Sequence, residues 1–268
     1  MTAKPANWAD DLALIRRAAR EAGDRALAER EAGLKVWSKS GGSPVTSADM
    51  AVDRMLRETL LGARPDYGWL SEETADSADR LDKKRIFIVD PIDGTVAYMK
   101  GKPWWCVPIA VVEDGVPVAA VIHAPALNET FDAVAGRGAR LNERAITASD
   151  ADTLDDAAML ADAQLMQGPL WPEPWPPMRF EKRNAIAYRM ALVAAGAFDA
   201  AVALSPKWDW DIAAGALIAA EAGAKVSDHR GEPWRFNRPD PRQPSLVCAA
   251  PALHPLIIAR CATIPVGA

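Results

Sequence analysis

The sequence contains few of the residues that build disulfide frameworks or zinc sites. Its 268 residues include only three cysteines and three histidines. Cys106, Cys248 and Cys261 are an odd number at wide spacing, which argues against both a disulfide framework and a zinc site. We therefore expect three buried cysteines that behave as small hydrophobic residues, in a protein of the reducing cytoplasm. The scattered histidines give little support to a histidine-based mechanism.

Long apolar runs are also missing. The amino-terminal stretch contains Asp10 and Asp11 and lacks the apolar core of a signal peptide. The alanine-rich stretch 185–204 is interrupted by Arg189 and Asp199, and it is too polar to cross a bilayer. We therefore expect no membrane association.

The overall charge excludes a further class of partner. The chain carries 31 basic and 36 acidic residues, for a net charge of −5. This balance argues against a broad basic face that would bind a nucleic-acid polymer. A hydrophobic content of 50% supports an extensive core, and the length suits one large domain or two packed halves.

Hydrophobic periodicity predicts a change of character near residue 146. The first half has helical patterns at 8–32 and 48–61, and strand patterns at 67–70, 85–89, 105–112, 116–123 and 129–135. The second half has strand patterns at 158–161, 198–203, 225–227 and 245–249, and helical patterns at 187–195, 211–222 and 253–261. We therefore predict an α+β half, 1–146, and an α/β half, 147–268.

The run Asp90-Pro91-Ile92-Asp93-Gly94-Thr95 follows the apolar strand 85–89. Asp90, Asp93 and the carbonyl of Ile92 could bind a hard cation, and the amides of Gly94 and Thr95 could face a phosphate. An alternative reading is a local turn, since Asp, Pro and Gly favour turns for purely local reasons.

Three other acidic segments also have alternative readings. Glu72 and Glu73 could form an exposed acidic loop. Asp49 follows Thr46 and Ser47, which suit a helix cap. Asp211, which precedes an alanine-rich helical segment, could be an ordinary N-cap.

Four segments together resemble the inositol monophosphatase superfamily of magnesium-dependent, lithium-sensitive phosphatases. They are Ser43-Pro44-Val45-Thr46-Ser47-Ala48-Asp49, the Glu72-Glu73 pair, the Asp90–Thr95 turn, and Trp210-Asp211-Ile212-Ala213-Ala214-Gly215. They occur in the family's order over about residues 39 to 223. The resemblance implies a layered αβαβα sandwich with a site where its two halves meet. It also implies a homodimer.

The resemblance assigns roles to individual residues. It implies that two or three Mg²⁺ ions are held by Glu72, Asp90, the Ile92 carbonyl, Asp93 and Asp211, with Glu73 a weaker candidate. Glu72, and Thr95 with Asp49, would position and activate a water for direct in-line attack on a phosphate monoester, without a phospho-enzyme. Gly94 and Thr95 would hold the phosphate.

The substrate is harder to predict. Segments 71–74 and 205–215 look most like bacterial CysQ-type 3′(2′),5′-bisphosphate nucleotidases, which remove the 3′-phosphate of adenosine 3′,5′-bisphosphate. Lys207, Arg183 and Arg189 could meet the second phosphate and Trp208 could lie against the base, although each could equally be a solvated cation or a core-edge indole. Asp209 is expected at the surface. The alternatives are an inositol-1-phosphate or sugar-phosphate phosphatase, and a catalytically silent relative that binds phosphorylated ligands.

Overall fold

The structure is a computed structural model, and it describes residues 8–38 and 44–266. Within these residues the α-helices are α1 (Trp8–Ala32), α2 (Ser47–Ala63), α3 (Thr95–Met99), α4 (Ala163–Met166), α5 (Ile186–Ala194), α6 (Asp209–Glu221) and α7 (Leu253–Cys261). Two 3₁₀ helices span Ala78–Asp82 and Pro125–Leu127. Ser43, the first residue of the Ser43–Asp49 segment that carries the resemblance, lies outside the described residues.

A seven-stranded sheet dominates the first half. Its strands are β3 (Gly68–Ser71), β4 (Arg85–Val89), β5 (Val107–Glu113), β6 (Val116–Ala124), β7 (Glu129–Val134), β8 (Ala139–Leu141) and β9 (Arg144–Ile146), in that order across the sheet. β3 and β4 are parallel, and the remaining neighbours are antiparallel. The parallel pair matters for the site, because Glu72 and Asp90 follow the same ends of these two strands.

A five-stranded sheet forms the second half. Its order is β11 (Arg179–Glu181), β10 (Ala158–Leu160), β12 (Ala200–Ala203), β16 (Leu246–Ala249) and β14 (Lys225–Ser227). Two small antiparallel pairs complete the strands: β1 (Val36–Ser38) with β2 (Pro44–Thr46), and β13 (Lys207–Trp208) with β15 (Arg242–Gln243).

Strand β4 shows how the layers arise. Successive side chains of a strand point to opposite faces. Phe87 and Val89 are therefore buried against α1 and α2, whereas Ile86 and Ile88 are buried against α5 and α6. Each such side chain contributes about 1.5–3 kcal/mol on burial, and a strand covered on both faces becomes a continuous apolar run.

Helix α6 lies between the two sheets. Ile212, Ala213 and Ile218 are buried in the core that also contains β5, β6 and β16. A helix that is apolar on every side is stable only when it is surrounded by protein. Gly215 permits the close approach of α5, since an added Cβ would lie 2.6 Å from the sulfur of Met190.

The layers are α1 and α2, the seven-stranded sheet, α5 and α6, the five-stranded sheet, and α7. The predicted αβαβα sandwich is therefore confirmed. The strands of the large sheet all lie within residues 68–146, whereas those of the smaller sheet lie within 158–249. The three cysteines are free and buried. No helix in the described part of the chain has the length and apolar character needed to cross a membrane.

The main differences from the predicted elements are short elements and the start of α6. Strands β1, β2, β8, β9, β11, β13 and β15 and the short helices α3 and α4 were not predicted, because elements of two to five residues give little periodic signal. Helix α6 was predicted from Asp211, but it begins at Asp209.

Candidate active site

The Asp90–Thr95 turn carries the chain from β4 into α3. The Asp90 carboxylate accepts a hydrogen bond from the Ile92 amide at 2.9 Å, which closes the turn. Gly94 has a φ of 94°, in the left-handed region that favours glycine. A Cβ at this position would lie 3.0 Å from Ala185 Cβ and 3.3 Å from the Trp104 carbonyl oxygen. Both the conformation and the space therefore require glycine here.

Asp49 belongs to the first turn of α2 and faces the same turn. One of its oxygens accepts hydrogen bonds from the Thr46 amide at 2.8 Å and the Thr46 hydroxyl at 2.5 Å. Its other oxygen lies 3.2 Å from the hydroxyl of Thr95, which is also 3.1 Å from the Ile92 carbonyl oxygen. The Asp49 carboxylate therefore bonds to Thr46, the N-cap of α2, and also contacts Thr95.

Asp93 joins the two halves of the molecule. Its carboxylate accepts hydrogen bonds from the amides of Ile186 at 3.0 Å and Ala187 at 2.7 Å, in the first turn of α5. First-turn amides have no acceptor within their own helix, and their positive potential stabilises an anion. The Cys106 thiol lies 3.6 Å from one oxygen of the same carboxylate.

Asp211 comes from the start of α6. One of its oxygens accepts a hydrogen bond from the Trp208 amide at 2.9 Å. Because the helix begins at Asp209, Asp211 is its third residue and is not the N-cap that one reading of the sequence gave. Its carboxylate nevertheless accepts an amide at the helix start and also lies within electrostatic reach of Asp93 and Glu72.

Glu72 lies beside Asp90 because β3 and β4 run in parallel. Ser71 pairs with Val89, and the Glu72 amide donates to the Val89 carbonyl at 3.3 Å. Asp53, one turn beyond Asp49 on α2, accepts hydrogen bonds from the Ser71 and Thr74 hydroxyls at 2.5 Å each. This buried carboxylate therefore holds the chain on both sides of the Glu72-Glu73 pair.

Burial raises the pKa values of several acidic residues of the site, and neighbouring negative charges add to the shift of some of them. Burial raises the pKa of Asp90 well above its usual range, and the negative charges of Glu72, Asp93, Asp211 and Asp49 raise it further. Burial raises the pKa of Asp93 to about 6 and, with Asp93 and Glu72, that of Asp211 to about 7. Burial also raises the pKa of Asp49. Such mutual repulsion in a buried region is typical of a cation site.

The chain is similar to one family of known proteins over almost its whole length. The sequence profile of the inositol monophosphatase family matches residues 8–265. The chain belongs to this family.

Its relatives in the family carry several names. An inositol-1-monophosphatase of Rhizobium meliloti is 31% identical over 218 residues, which cover 74% of this chain and 77% of the relative. A histidinol-phosphatase of Mycobacterium tuberculosis is 35% identical over 210 residues, covering 74% and 79% of the two chains. The crystal structure of the extragenic suppressor protein suhB from Bartonella henselae superimposes with a TM-score of 0.80 and 27% identity, covering 93% of this chain and 97% of that one. These names differ, so similarity alone selects no substrate.

The candidate metal ligands of this protein are all oxygen atoms, which are the ligands that Mg²⁺ prefers. The phosphatases of the family generally use this ion. Within residues 8–38 and 44–266, no three acidic, cysteine or histidine side chains form a ready-made metal cage. Mg²⁺ does not require one, because it usually keeps several waters and takes one or two carboxylates together with phosphate oxygens. The coupled carboxylates described above could supply these ligands.

Lys207 is the predicted substrate residue that adjoins the acidic group. Its ammonium donates to the Ser205 hydroxyl at 2.7 Å and the Pro206 carbonyl at 3.1 Å. Burial lowers the pKa of Lys207, and the charge of Asp211 opposes this shift. A cation is thus present beside the predicted ligands.

The two predicted arginines have other partners. Arg189 is 7% exposed, and its guanidinium donates to the carbonyl oxygen of Arg183. Its burial weighs against direct contact with a second phosphate. The Arg183 guanidinium lies 5.3 Å from the ring centre of Phe198 and 5.9 Å from those of Trp104 and Tyr188. It is therefore partly occupied by cation–π contacts.

The expectation that Asp209 lies at the surface was wrong. Its exposed fraction is 0%. Its carboxylate accepts hydrogen bonds from the Asn237 amide at 2.8 Å and the Gln243 side-chain amide at 2.9 Å. The partners lie 28 and 34 residues away, so a helical pattern gave no signal for them. Asp53 was missed for the same reason, since its partners lie 18 and 21 residues further along the chain.

Proposed function

We propose that this protein is a magnesium-dependent hydrolase of small phosphate monoesters. The observation that carries the proposal is that carboxylates from separate segments converge: the charges of Glu72, Asp93 and Asp211 act on buried Asp90, and those of Asp93 and Glu72 act on Asp211. These residues come from separate segments, and burial places them where a fixed group of anions is unfavourable without a cation. Family membership supports phosphatase chemistry for the same residues.

The proposed metal ligands are Glu72, Asp90, Asp93, Asp211 and the Ile92 carbonyl. When bound there, Mg²⁺ would neutralise the phosphate, lower the pKa of a water and stabilise the departing oxygen.

Thr95 and Asp49 would position the attacking water and accept its proton. The Thr95 hydroxyl has one proton and two acceptors within reach, the Asp49 carboxylate and the Ile92 carbonyl. If the Ile92 carbonyl serves as a metal ligand, the Thr95 hydroxyl donates its proton in a hydrogen bond to Asp49. A lone pair on Thr95 Oγ1 is then available to accept a hydrogen bond from the water. Glu72, at the end of the neighbouring parallel strand β3, would orient the same water.

The turn would bind the phosphate itself. The amides at Gly94 and Thr95 precede or begin α3, where backbone N–H groups have no intrahelical acceptor. We propose direct attack by water and not by Asp93, because both carboxylate oxygens of Asp93 already accept hydrogen bonds from backbone amides. A carboxylate held in this way serves better as a ligand than as a nucleophile.

For the substrate we favour the monophosphate of a small polyol such as inositol 1-phosphate. Of the three cations predicted to meet a second phosphate, Arg189 is buried and Arg183 contacts aromatic rings, which leaves Lys207 beside the acidic group. Adenosine 3′,5′-bisphosphate is the second candidate. It is favoured by Trp208, which is 41% exposed beside Lys207 and stacks on Trp210 with 4.8 Å between ring centres. The Arg242 guanidinium lies 5.6 Å from the centre of the Trp208 ring, so a base would compete with it for this indole.

The test is phosphate release from inositol 1-phosphate, histidinol phosphate and adenosine 3′,5′-bisphosphate, with and without Mg²⁺. The wild type is compared with Asp93→Asn and Asp211→Asn, and with Asp240→Asn as an exposed acidic control. We expect Mg²⁺-dependent turnover that the first two substitutions abolish and the control retains. A wild type as inactive as the two variants on all three substrates would instead indicate a silent phospho-ligand-binding protein.

Homodimerisation, lithium inhibition and a cytoplasmic location are further proposals that rest on family resemblance and composition. Light scattering of the purified protein and a Li⁺ titration of its phosphatase activity test the first two directly.

A further inference from the structure

A polar network whose members Asp209, Gln243 and Arg80 are buried connects the start of α6 with the segment that follows Glu72. We propose that this network, formed by Asp209, Gln243, Asn237, Arg80 and Asp76 and called here the Arg80 bridge, positions the predicted metal ligands of the two halves relative to each other. This inference rests on the proposed function, because it assigns the bridge a role in assembling that site. None of its five members is itself a predicted ligand.

The first end of the bridge is Asp209, the first residue of α6. Its two oxygens accept hydrogen bonds from the Asn237 backbone amide at 2.8 Å and the Gln243 side-chain amide at 2.9 Å. The Asp209 amide donates to the Pro241 carbonyl at 2.8 Å. The loop 235–243 is therefore fixed to the turn of helix that carries Asp211.

The second end is Arg80, which is 2% exposed. It donates to both carboxylate oxygens of Asp76, at 2.6 and 2.8 Å, and to the side-chain oxygen of Asn237 at 2.7 Å and the Arg238 carbonyl at 3.0 Å. The Asn237 side-chain amide donates back to the Arg80 carbonyl at 3.2 Å. Asn237 thus contacts both ends, with its backbone on Asp209 and its side chain on Arg80.

The bridge controls the position of Glu72 through a short, fixed segment. Asp76 lies four residues after Glu72, and Arg80 lies in the 3₁₀ helix Ala78–Asp82, which packs on β3. Gly68 makes this packing close, since a Cβ there would lie 3.2 Å from Arg80 Cβ and 2.5 Å from an Ile86 methyl. Asp53 holds Ser71 and Thr74 on either side of the Glu72-Glu73 pair, and the bridge adds a further anchor at Asp76, two residues beyond Thr74.

The composition of the bridge suits positioning better than stabilisation. Burying the Arg80 guanidinium and the Asp209 carboxylate carries a desolvation cost that an apolar contact would avoid. In return, the planar Arg80 guanidinium and the Asn237 amide make directional bonds that accept only one geometry. Partners that orient metal ligands typically change metal affinity about 10–100-fold when removed.

The decisive variant is Asn237→Gly. Asn237 has a φ of 58°, so glycine retains the backbone conformation and its bond to Asp209 while removing both bonds to Arg80. Arg80→Lys is the second variant, because an ammonium cannot reproduce the planar fork. Asp240→Asn is the matched control, since Asp240 lies in the same loop but forms an exposed pair with Arg242.

Each protein is titrated with Mg²⁺ by calorimetry without substrate, assayed for kcat and KM, and unfolded in urea. We expect Asn237→Gly and Arg80→Lys to weaken Mg²⁺ binding about 10-fold and to lower kcat with little change in KM, whereas Asp240→Asn resembles the wild type. Raising the Mg²⁺ concentration should restore part of the lost kcat.

Native Mg²⁺ affinity and kcat in Asn237→Gly, with only a lower urea midpoint, would show that the bridge is purely structural and would overturn the inference. If Arg80→Lys fails to fold, Asn237→Gly decides alone. A wild type that neither binds Mg²⁺ nor releases phosphate would instead refute the proposed function, and the positioning role with it. The wild-type titration therefore separates the two failures.

Discussion

Gly94→Ala tests how strictly the turn after β4 determines the site. Glycine adopts the left-handed φ of 94° without penalty, whereas a residue with a Cβ loses about 1–2 kcal/mol there. The new methyl would also lie 3.0 Å from Ala185 Cβ, and overpacking of a filled region costs about 1–3 kcal/mol. We therefore expect the free energy of unfolding to fall by about 2–5 kcal/mol.

The same methyl should reduce phosphate release. Ala185 precedes Ile186, whose amide holds the Asp93 carboxylate, so a shift of Ala185 displaces a proposed ligand. Gly101→Ala is the matched control, because Gly101 has a φ of 65° but no atom within 4 Å of the added Cβ.

Urea unfolding and phosphate release are measured on both variants. Gly101→Ala should lose only the conformational part, about 1–2 kcal/mol, and should keep its activity. Equal losses of stability in the two variants, or full activity in Gly94→Ala, would refute the reasoning from the Ala185 contact.

Three further outcomes are expected. Gly62→Ala should raise the free energy of unfolding by about 0.5–1 kcal/mol in urea, because Gly62 lies in α2 with open space around it; a loss of stability would contradict this. Asp53→Ala should lower the free energy of unfolding by about 2–4 kcal/mol, since the Ser71 and Thr74 hydroxyls lose a charged acceptor. The affinity for Mg²⁺ should also fall, because the same bonds hold the chain on both sides of Glu72. Because the folded-state pKa values of Asp93 and Asp211 are raised to about 6 and about 7, the metal-free protein should lose stability as the pH rises from 5 to 8. Mg²⁺ should raise the melting temperature more at pH 8 than at pH 5, since protons compete for the same oxygens; thermal scans showing the reverse order would exclude these carboxylates as ligands.

The elements with strong periodicity were predictable from the sequence. The predicted bounds of α1, β4 and α7 agree with the structure, because each combines a clear apolar pattern with a distinct start or end. The order of the acidic segments likewise predicted the family and the layered fold. Local patterns were sufficient wherever the deciding interactions were themselves local.

The supporting contacts of the site were not predictable. The Arg80 bridge joins residues 157 positions apart, and Asp209 was expected at the surface because acidic residues near helix starts are usually solvated. Arg189 had an equally poor signal, since its partner is a backbone carbonyl that any sequence would provide. Tertiary packing decided these positions.

The hydrogen bonds between Asp93 and helix α5 have a consequence for the folding chain. The first 146 residues contain four of the five proposed metal-binding groups, but the amides that orient Asp93 are contributed much later in the chain. A nascent or half-folded molecule would hold those acids without their orientation. With the proposed function, phosphate release would therefore begin only once α5 and α6 have packed on the seven-stranded sheet.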